Sequence, residues 1–290
     1  MNHERDLTIF DEPPLAGPRL VLGFNGWMDG GDVSTGAIQY LNDQFDTLPF
    51  AEIAPEDFYV YGQTEGGEMS GLHRPMVLIE DGVLEDFEEP LAQFTYDPAR
   101  NLIFFSGREP NCQWRRFSEC LFQVVEQFAV EQIYFVGSVA GAVPHTRRPR
   151  FFGAVTDPEI RHQMDDLGLE PSNYEGPASF VAYMMREASL RHVPMLCIVA
   201  EIPAYVEGHN ARCIQAAVSK LSMALEVDID VQSLKRQADA FEQKLNAIME
   251  DRDDLASVIR KMEVDYDRQA VNTNMDDLRA WFNRQGIRRN

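Results

Sequence analysis

Between Leu20 and Leu225 the hydrophobic pattern switches back and forth between two periods, and that alternation restricts the fold more than any other feature of the chain. Leu20–Phe24, Asp57–Tyr61, Pro75–Glu80, Asn101–Ser106, Ile133–Val136 and Met195–Ala200 read as strands. Asp32–Phe45, Asn111–Val130, Ala178–Arg191 and Ala211–Leu225 carry apolar residues at helical spacing. Strands that alternate with helices of this length predict an α/β fold, a mainly parallel sheet flanked by helices on both faces.

Beyond residue 230 the alternation stops. Val231, Leu234, Ala238, Phe241, Leu245 and Ile248, then Leu255, Ile259, Met262 and Tyr266, follow a 3/4 spacing that is interrupted at Arg252. The interruption falls in Asp251-Arg-Asp-Asp, whose aspartates suit a turn and a helix N-cap. The pattern favours a helical hairpin with a short third helix at 275–283; one continuous coiled-coil helix is the alternative. Charge divides the chain at the same place. The net charge is −21, and the last 60 residues, with 11 acidic and 11 basic side chains, contribute nothing to it. The expected organisation is therefore a 1–230 α/β core domain and a 231–290 helical C-terminal domain. The ten-member apolar stripe is too regular to lie exposed, so this domain is expected to cap the core or hold an oligomer together.

So acidic a chain repels phosphate backbones and anionic lipid, which excludes nucleic-acid and membrane-surface binding as expected functions. No apolar run approaches a membrane span, and the polar start, Met1-Asn-His-Glu-Arg-Asp, leads into no signal-peptide core, so a cytoplasmic location is expected. Cys112, Cys120, Cys197 and Cys213 form no C-x-x-C pair and read as reduced thiols. No spacing calls for a cofactor or a metal; His209 and Cys213, at i and i+4, make only half of a zinc site.

Three loops follow predicted parallel strands, and ligands of open α/β sheets gather beyond the carboxyl ends of such strands. The first, Gly23-Phe-Asn-Gly-Trp-Met-Asp-Gly-Gly-Asp32, matches neither phosphate-binding glycine motif and has no lysine. Asp32 reads as the helix N-cap, and Asn25 and Asp29 as the residues facing a ligand or partner. The second loop holds Ser138, one place too early for a nucleophile elbow, then His145 and the cluster Arg147, Arg148 and Arg150. Its arginines serve either neighbouring carboxylates or an anion. His145 lacks a visible orienting partner and reads as a hydrogen-bonded loop histidine. The third loop, Ala200-Glu-Ile-Pro-Ala-Tyr-Val-Glu-Gly-His209, offers Glu201, Tyr205 and Glu207. Arg74, before a further strand, suits an ion pair or an anion with equal ease. No catalytic residue is assigned.

Five ordered stretches carry a family resemblance. Phe24-Asn-Gly-Trp-Met-Asp-Gly-Gly-Asp-Val-Ser-Thr-Gly-Ala37, Arg74-Pro75, Val143-Pro-His-Thr-Arg147, Tyr174-Glu-Gly-Pro177 and Ile202-Pro-Ala-Tyr-Val206 resemble the proteasome assembly chaperone family of the assembly-chaperone-2 type, in its bacterial branch with a helical C-terminal extension. The resemblance spans roughly residues 7–230. It implies a phosphorylase/hydrolase-like core, a homo-oligomer (a trimer by preference) and kinship to chaperones of 20S proteasome assembly. Two positions depart from it: the chain ends Gly286-Ile-Arg-Arg-Asn290 without the hydrophobic-Tyr-X tail of archaeal and eukaryotic relatives, and Ala204 stands where relatives usually carry histidine.

The expectation is a non-catalytic, self-associating scaffold or assembly-chaperone-like protein. Its expected partners are itself and, as a second option, another protein complex. The alternatives are a small-molecule hydrolase or phosphorylase-like enzyme of nucleosidase type, and a ligand-gated adaptor.

Overall fold

A computed structural model describes residues 6–60, 64–65, 68–69, 75–250, 252 and 255–268. Arg74 and the expected short helix at 275–283 lie outside the described residues.

The strands are β1 (Leu7–Ile9), β2 (Arg19–Asn25), β3 (Leu48–Ile53), β4 (Thr64–Glu65), β5 (Glu68–Met69), β6 (Met76–Glu80), β7 (Val83–Glu88), β8 (Ala92–Asp97), β9 (Leu102–Arg108), β10 (Gln132–Gly141), β11 (Arg150–Val155), β12 (Glu170–Pro171) and β13 (Met195–Pro203). The helices are α1 (Val33–Phe45), α2 (Trp114–Gln127), α3 (His162–Asp166), α4 (Phe180–Leu190), α5 (Ala211–Ala224), α6 (Gln232–Glu250) and α7 over 255–268.

Nine strands form one sheet in the order β1-β3-β8-β9-β2-β10-β13-β11-β12. Its centre, β9-β2-β10-β13, is parallel, with Phe24 beside Gly107 and Ser138 beside Ala200. Antiparallel strands extend it on both sides, β8, β3 and β1 on one and β11 on the other.

The central strands read as unbroken apolar runs because both of their faces are covered. Successive residues feed two cores. Leu20, Leu22, Phe24, Phe105 and Phe135 meet α2 and α4, where Phe24 and Phe117 both set ring edges against Phe180. Val21, Phe104, Tyr134 and Val136 meet α1 and α5 through Ile38, Leu41, Ile214 and Leu221. The expected three-layer α/β architecture is the one observed.

Two predicted strands are placed differently. Residues 57–60 form a turn and irregular chain, because Asp57 takes a left-handed backbone (φ 70°) that no ladder accommodates. Phe58 and Tyr59 are apolar in pattern because they plug the core beneath α2, not because they pair. The strand expected at Pro75–Glu80 exists as β6, but it pairs only with β7 in a hairpin outside the main sheet.

Among the described residues the C-terminal stripe lies on two helices, α6 and α7. α6 lies along α5, burying Leu234 and Ala238, and Tyr40 ties its start to the core through Asp230 and Ser233. The part of the tail that is described rests on the core.

Candidate functional site: the loop edge and its cover

The three loops converge, as their positions after parallel strands require. Ser138 links the first two: its amide donates to the Met28 carbonyl at 2.8 Å and its hydroxyl to the Gly30 carbonyl at 2.6 Å. The Asn210 amide, at the end of the third loop, donates to the Gly31 carbonyl at 2.8 Å. Gly31 (φ 66°) is the residue this junction needs, since a Cβ there would stand 2.7 Å from the Asn210 Cβ.

The acidic pair of the first loop exchanges the roles read from sequence. Asp32 sits at the helix start in a left-handed conformation and makes no capping hydrogen bond. Asp29 caps α1 instead. Its Oδ1 accepts from the Ser34 and Thr35 amides at 2.7 and 3.1 Å, and its Oδ2 from the Thr35 hydroxyl at 2.7 Å and Asn25 Nδ2 at 3.3 Å. The extended Gly30-Gly31 turn lets a residue three places early reach the helix end, which a simple N-cap pattern does not anticipate. Burial raises the Asp29 carboxyl to about 6, against these donors, which pull it down. Asn25 and Asp29 therefore face each other and the helix. Asp32 turns outward, 3.4 Å from His209 Nδ1.

In the second loop His145 is buried among named partners. Its amide donates to the Tyr205 hydroxyl at 2.7 Å, and that hydroxyl lies 2.7 Å from Nδ1. A hydroxyl that accepts from the amide and donates its own proton to Nδ1 leaves the other proton on Nε2, directed at Asn246 Oδ1 of α6 at 3.2 Å. Burial pushes the His145 pKa down, and the nearby Arg212 charge acts in the same direction. The ring is neutral, and both its nitrogens are used. It is a keystone joining the second loop, the third loop and α6.

Two members of the arginine cluster, Arg147 and Arg150, are paired within the chain. Arg147 makes a fork to Asp267 (Nε–Oδ1 2.8 Å, Nη2–Oδ2 2.9 Å) and reaches Glu263 at 3.2 Å. The hydrogen bonds from Arg147 hold the Asp267 carboxyl below its usual range. Thr146 donates to Glu263, and Tyr266 donates from its hydroxyl to the Arg148 carbonyl at 2.8 Å. Arg150 pairs with Glu201 at 2.8 Å and stands over the Tyr266 ring at 5.0 Å. Arg212 pairs with Glu242 of α6. Arg148 is exposed.

What remains between these loops, Arg212 and Phe241 is a cavity of about 10 Å³, space for one water at most. Ser138 spends its hydroxyl on a carbonyl, and burial pushes the Cys213 thiol up to about 12. Among the described residues no three histidine, cysteine or carboxylate side chains are placed to hold a metal. Nor is any helix among them long and apolar enough to cross a membrane.

Sequence reasoning missed Glu109, Asn246, Glu263, Tyr266 and Asp267. Glu109 accepts from the Trp27 and Phe180 amides at 2.9 and 2.8 Å, fastening the first loop to α4. The signal for the α7 group was present as spacing: residues 263, 266 and 267 share one helix face.

On the other face of the sheet, beside the first loop, lies a groove of about 470 Å³. Met28, Val139, Phe152, Met185 and Val199 line it, and Trp27 and Tyr174 stand exposed at its rim.

Fold and site define a three-layer α/β domain whose loop edge is covered by its own C-terminal helices. The chain belongs to the PAC2 family, whose model matches residues 23–249. Among solved structures it is similar to a PAC2 family protein from Streptomyces avermitilis, at 26% identity and a TM-score of 0.68 over 79% of this chain and 95% of that one. A proteasome-assembly chaperone homologue from Mycobacterium tuberculosis gives 26% identity and a TM-score of 0.72 over 83% of this chain and 99% of that one. An archaeal proteasome activator from Pyrococcus furiosus shares the fold at 18% identity, with a TM-score of 0.66 over 84% of this chain and 99% of that one. No curated relative matches the chain in sequence.

Proposed function

We propose that this protein is a non-catalytic, self-associating assembly factor that works as a chaperone-like partner of another protein complex. The observation that carries this reading is the loop edge. Where an enzyme of this fold class would keep a pocket with convergent, unsatisfied polar groups, His145, Tyr205 and Arg147 are committed to one another and to α6 and α7, around a cavity of about 10 Å³. The relatives described as a proteasome-assembly chaperone homologue and a proteasome activator support the same direction.

Self-association, with a trimer as the preferred state, is supported by the β6–β7 hairpin. An isolated two-stranded hairpin is marginal in water, yet Met76, Ile79, Val83, Leu84 and Phe87 are each more than half exposed on this one. A trimer that covers them resolves the conflict.

One footing for the rival hydrolase reading is the groove beside Trp27. Its lining is mainly apolar, with Ser172 and Ser179 among the few polar side chains, and suits contact more than chemistry.

Light scattering on the purified protein, with native mass spectrometry for bound metabolites, tests the proposal. The expected result is three times the chain mass and no retained small molecule. A monomer that carries a metabolite and turns it over would replace this reading with the enzymatic one.

A further inference from the structure

We infer that the surface formed by Thr146, Arg147 and the Arg148 carbonyl is a docking site for an acidic helix of a partner protein, and that α7 covers it in cis as a stand-in for that helix. The inference rests on the assembly-factor reading only for the role of the partner; the surface and its chemistry stand on the contacts themselves.

The recognition is specific in geometry. One turn and a residue of α7 deliver a carboxylate at 263, a phenol at 266 and a second carboxylate at 267. The first accepts from the Thr146 hydroxyl and Arg147 Nη1, the phenol donates to the Arg148 carbonyl, and the second takes the two-pronged Arg147 fork. Positions i, i+3 and i+4 fall on one helix face, so the loop reads a helix and not an extended peptide. An arginine fork matched to a planar carboxylate supplies direction as well as charge.

The cover is held in a way that permits exchange. α6 is anchored by buried Leu234 and Ala238, whereas α7 buries Ile259 and leaves Val258 and Val264 half exposed. Its polar attachments reach solvent to different degrees: the side chain of Glu263 is 23% exposed, that of Arg147 34% and that of Asp267 55%. Ion pairs so exposed are screened by salt and add little net stability. With Ile259 its one buried side chain and Leu255, Met262 and Tyr266 buried only in part, α7 can be displaced by an external helix with the same carboxylate–phenol–carboxylate face.

The experiment uses the full chain. Glu263→Gln with Asp267→Asn removes both charges of the cover while keeping side-chain size. A fluorescein-labelled peptide of residues 255–268 with the natural sequence is titrated against this variant and against the unaltered chain, with anisotropy as readout. The variant is expected to bind the peptide at least ~10-fold more tightly than the unaltered chain. Binding should fall as salt rises and disappear when Arg147→Ala is added. Equal or absent binding in both chains, or binding that survives Arg147→Ala, overturns the inference. So does a change in oligomer mass on Glu263→Gln with Asp267→Asn, which would assign the surface to contacts between copies. Hydrogen exchange on the unaltered chain guards against a misfolded variant. High salt should speed exchange across 255–268 and leave α5 unchanged; equal response of the two helices counts against a releasable cover.

Discussion

The loop edge and the β6–β7 hairpin treat their surfaces in opposite ways. At the edge His145, Arg147 and Asp29 have found their partners inside the chain. At the hairpin a row of apolar side chains stands open to solvent, with Ile79 61% and Leu84 60% exposed. Chemistry on a substrate needs poised polar groups; assembly needs unspent apolar area. The distribution in this molecule fits the second need, and each of the following outcomes breaks or sharpens that contrast.

The largest effect belongs to the hairpin. Ile79→Lys with Leu84→Lys is expected to reduce the mass seen by light scattering to that of one chain, since each buried aliphatic side chain contributes roughly 1.5–3 kcal/mol to association. The melting temperature of the core should change far less than the mass. A mass that stays unchanged would remove the hairpin from the interface.

Next comes Asp29. A carboxyl whose folded pKa (about 6) lies above the unfolded value (3.8) binds its proton more tightly when folded. Its stabilising contribution is therefore complete below about pH 4 and is lost as pH rises through about 6, to an upper bound of about 3 kcal/mol. Stability measured by denaturant titration should rise between pH 7 and 5 in the unaltered protein, and Asp29→Asn should flatten that rise. Asp267 works in the other sense. Its carboxyl is depressed, so its pairing with Arg147 is present at neutral pH and lost as pH falls through its folded pKa. Acid is thus expected to relieve the cost of burying a charged Asp29 while loosening the cover.

A smaller change is expected from Tyr205→Phe, which strands the His145 amide and Nδ1 without their hydroxyl at a cost of about 1–3 kcal/mol in thermal stability. The smallest is Asp32→Asn, expected within about 0.5 kcal/mol of the unaltered protein because this half-exposed side chain caps nothing. A large loss there would return the capping role to Asp32.

The parallel centre of the sheet was legible in the sequence because burial on two faces leaves an unbroken signature, as in Leu20–Phe24 and Ile133–Val136. The antiparallel flanks were not. β3 begins Leu-Pro and includes Glu52, and β11 contains Gly153, so neither shows the alternation that marks a half-buried strand. The loops of the site were placed correctly from the strands that precede them. Their satisfaction was hidden, because Arg147 meets its carboxylates 116 and 120 residues away, and no local pattern reports a pairing that long. The exchange of roles between Asp29 and Asp32 was equally invisible, being decided by the backbone of two glycines.

The position of β2 sets a timetable for the growing chain. It lies at the centre of the sheet, yet the partners for its two edges begin at Leu102 and Gln132. At about 5–20 residues per second a ribosome needs on the order of ten seconds to deliver both. Both edges of this apolar strand stand open until Leu102–Arg108 has been made, one stays open until Gln132–Gly141 follows, and the sheet cannot close until more than half the chain has been made.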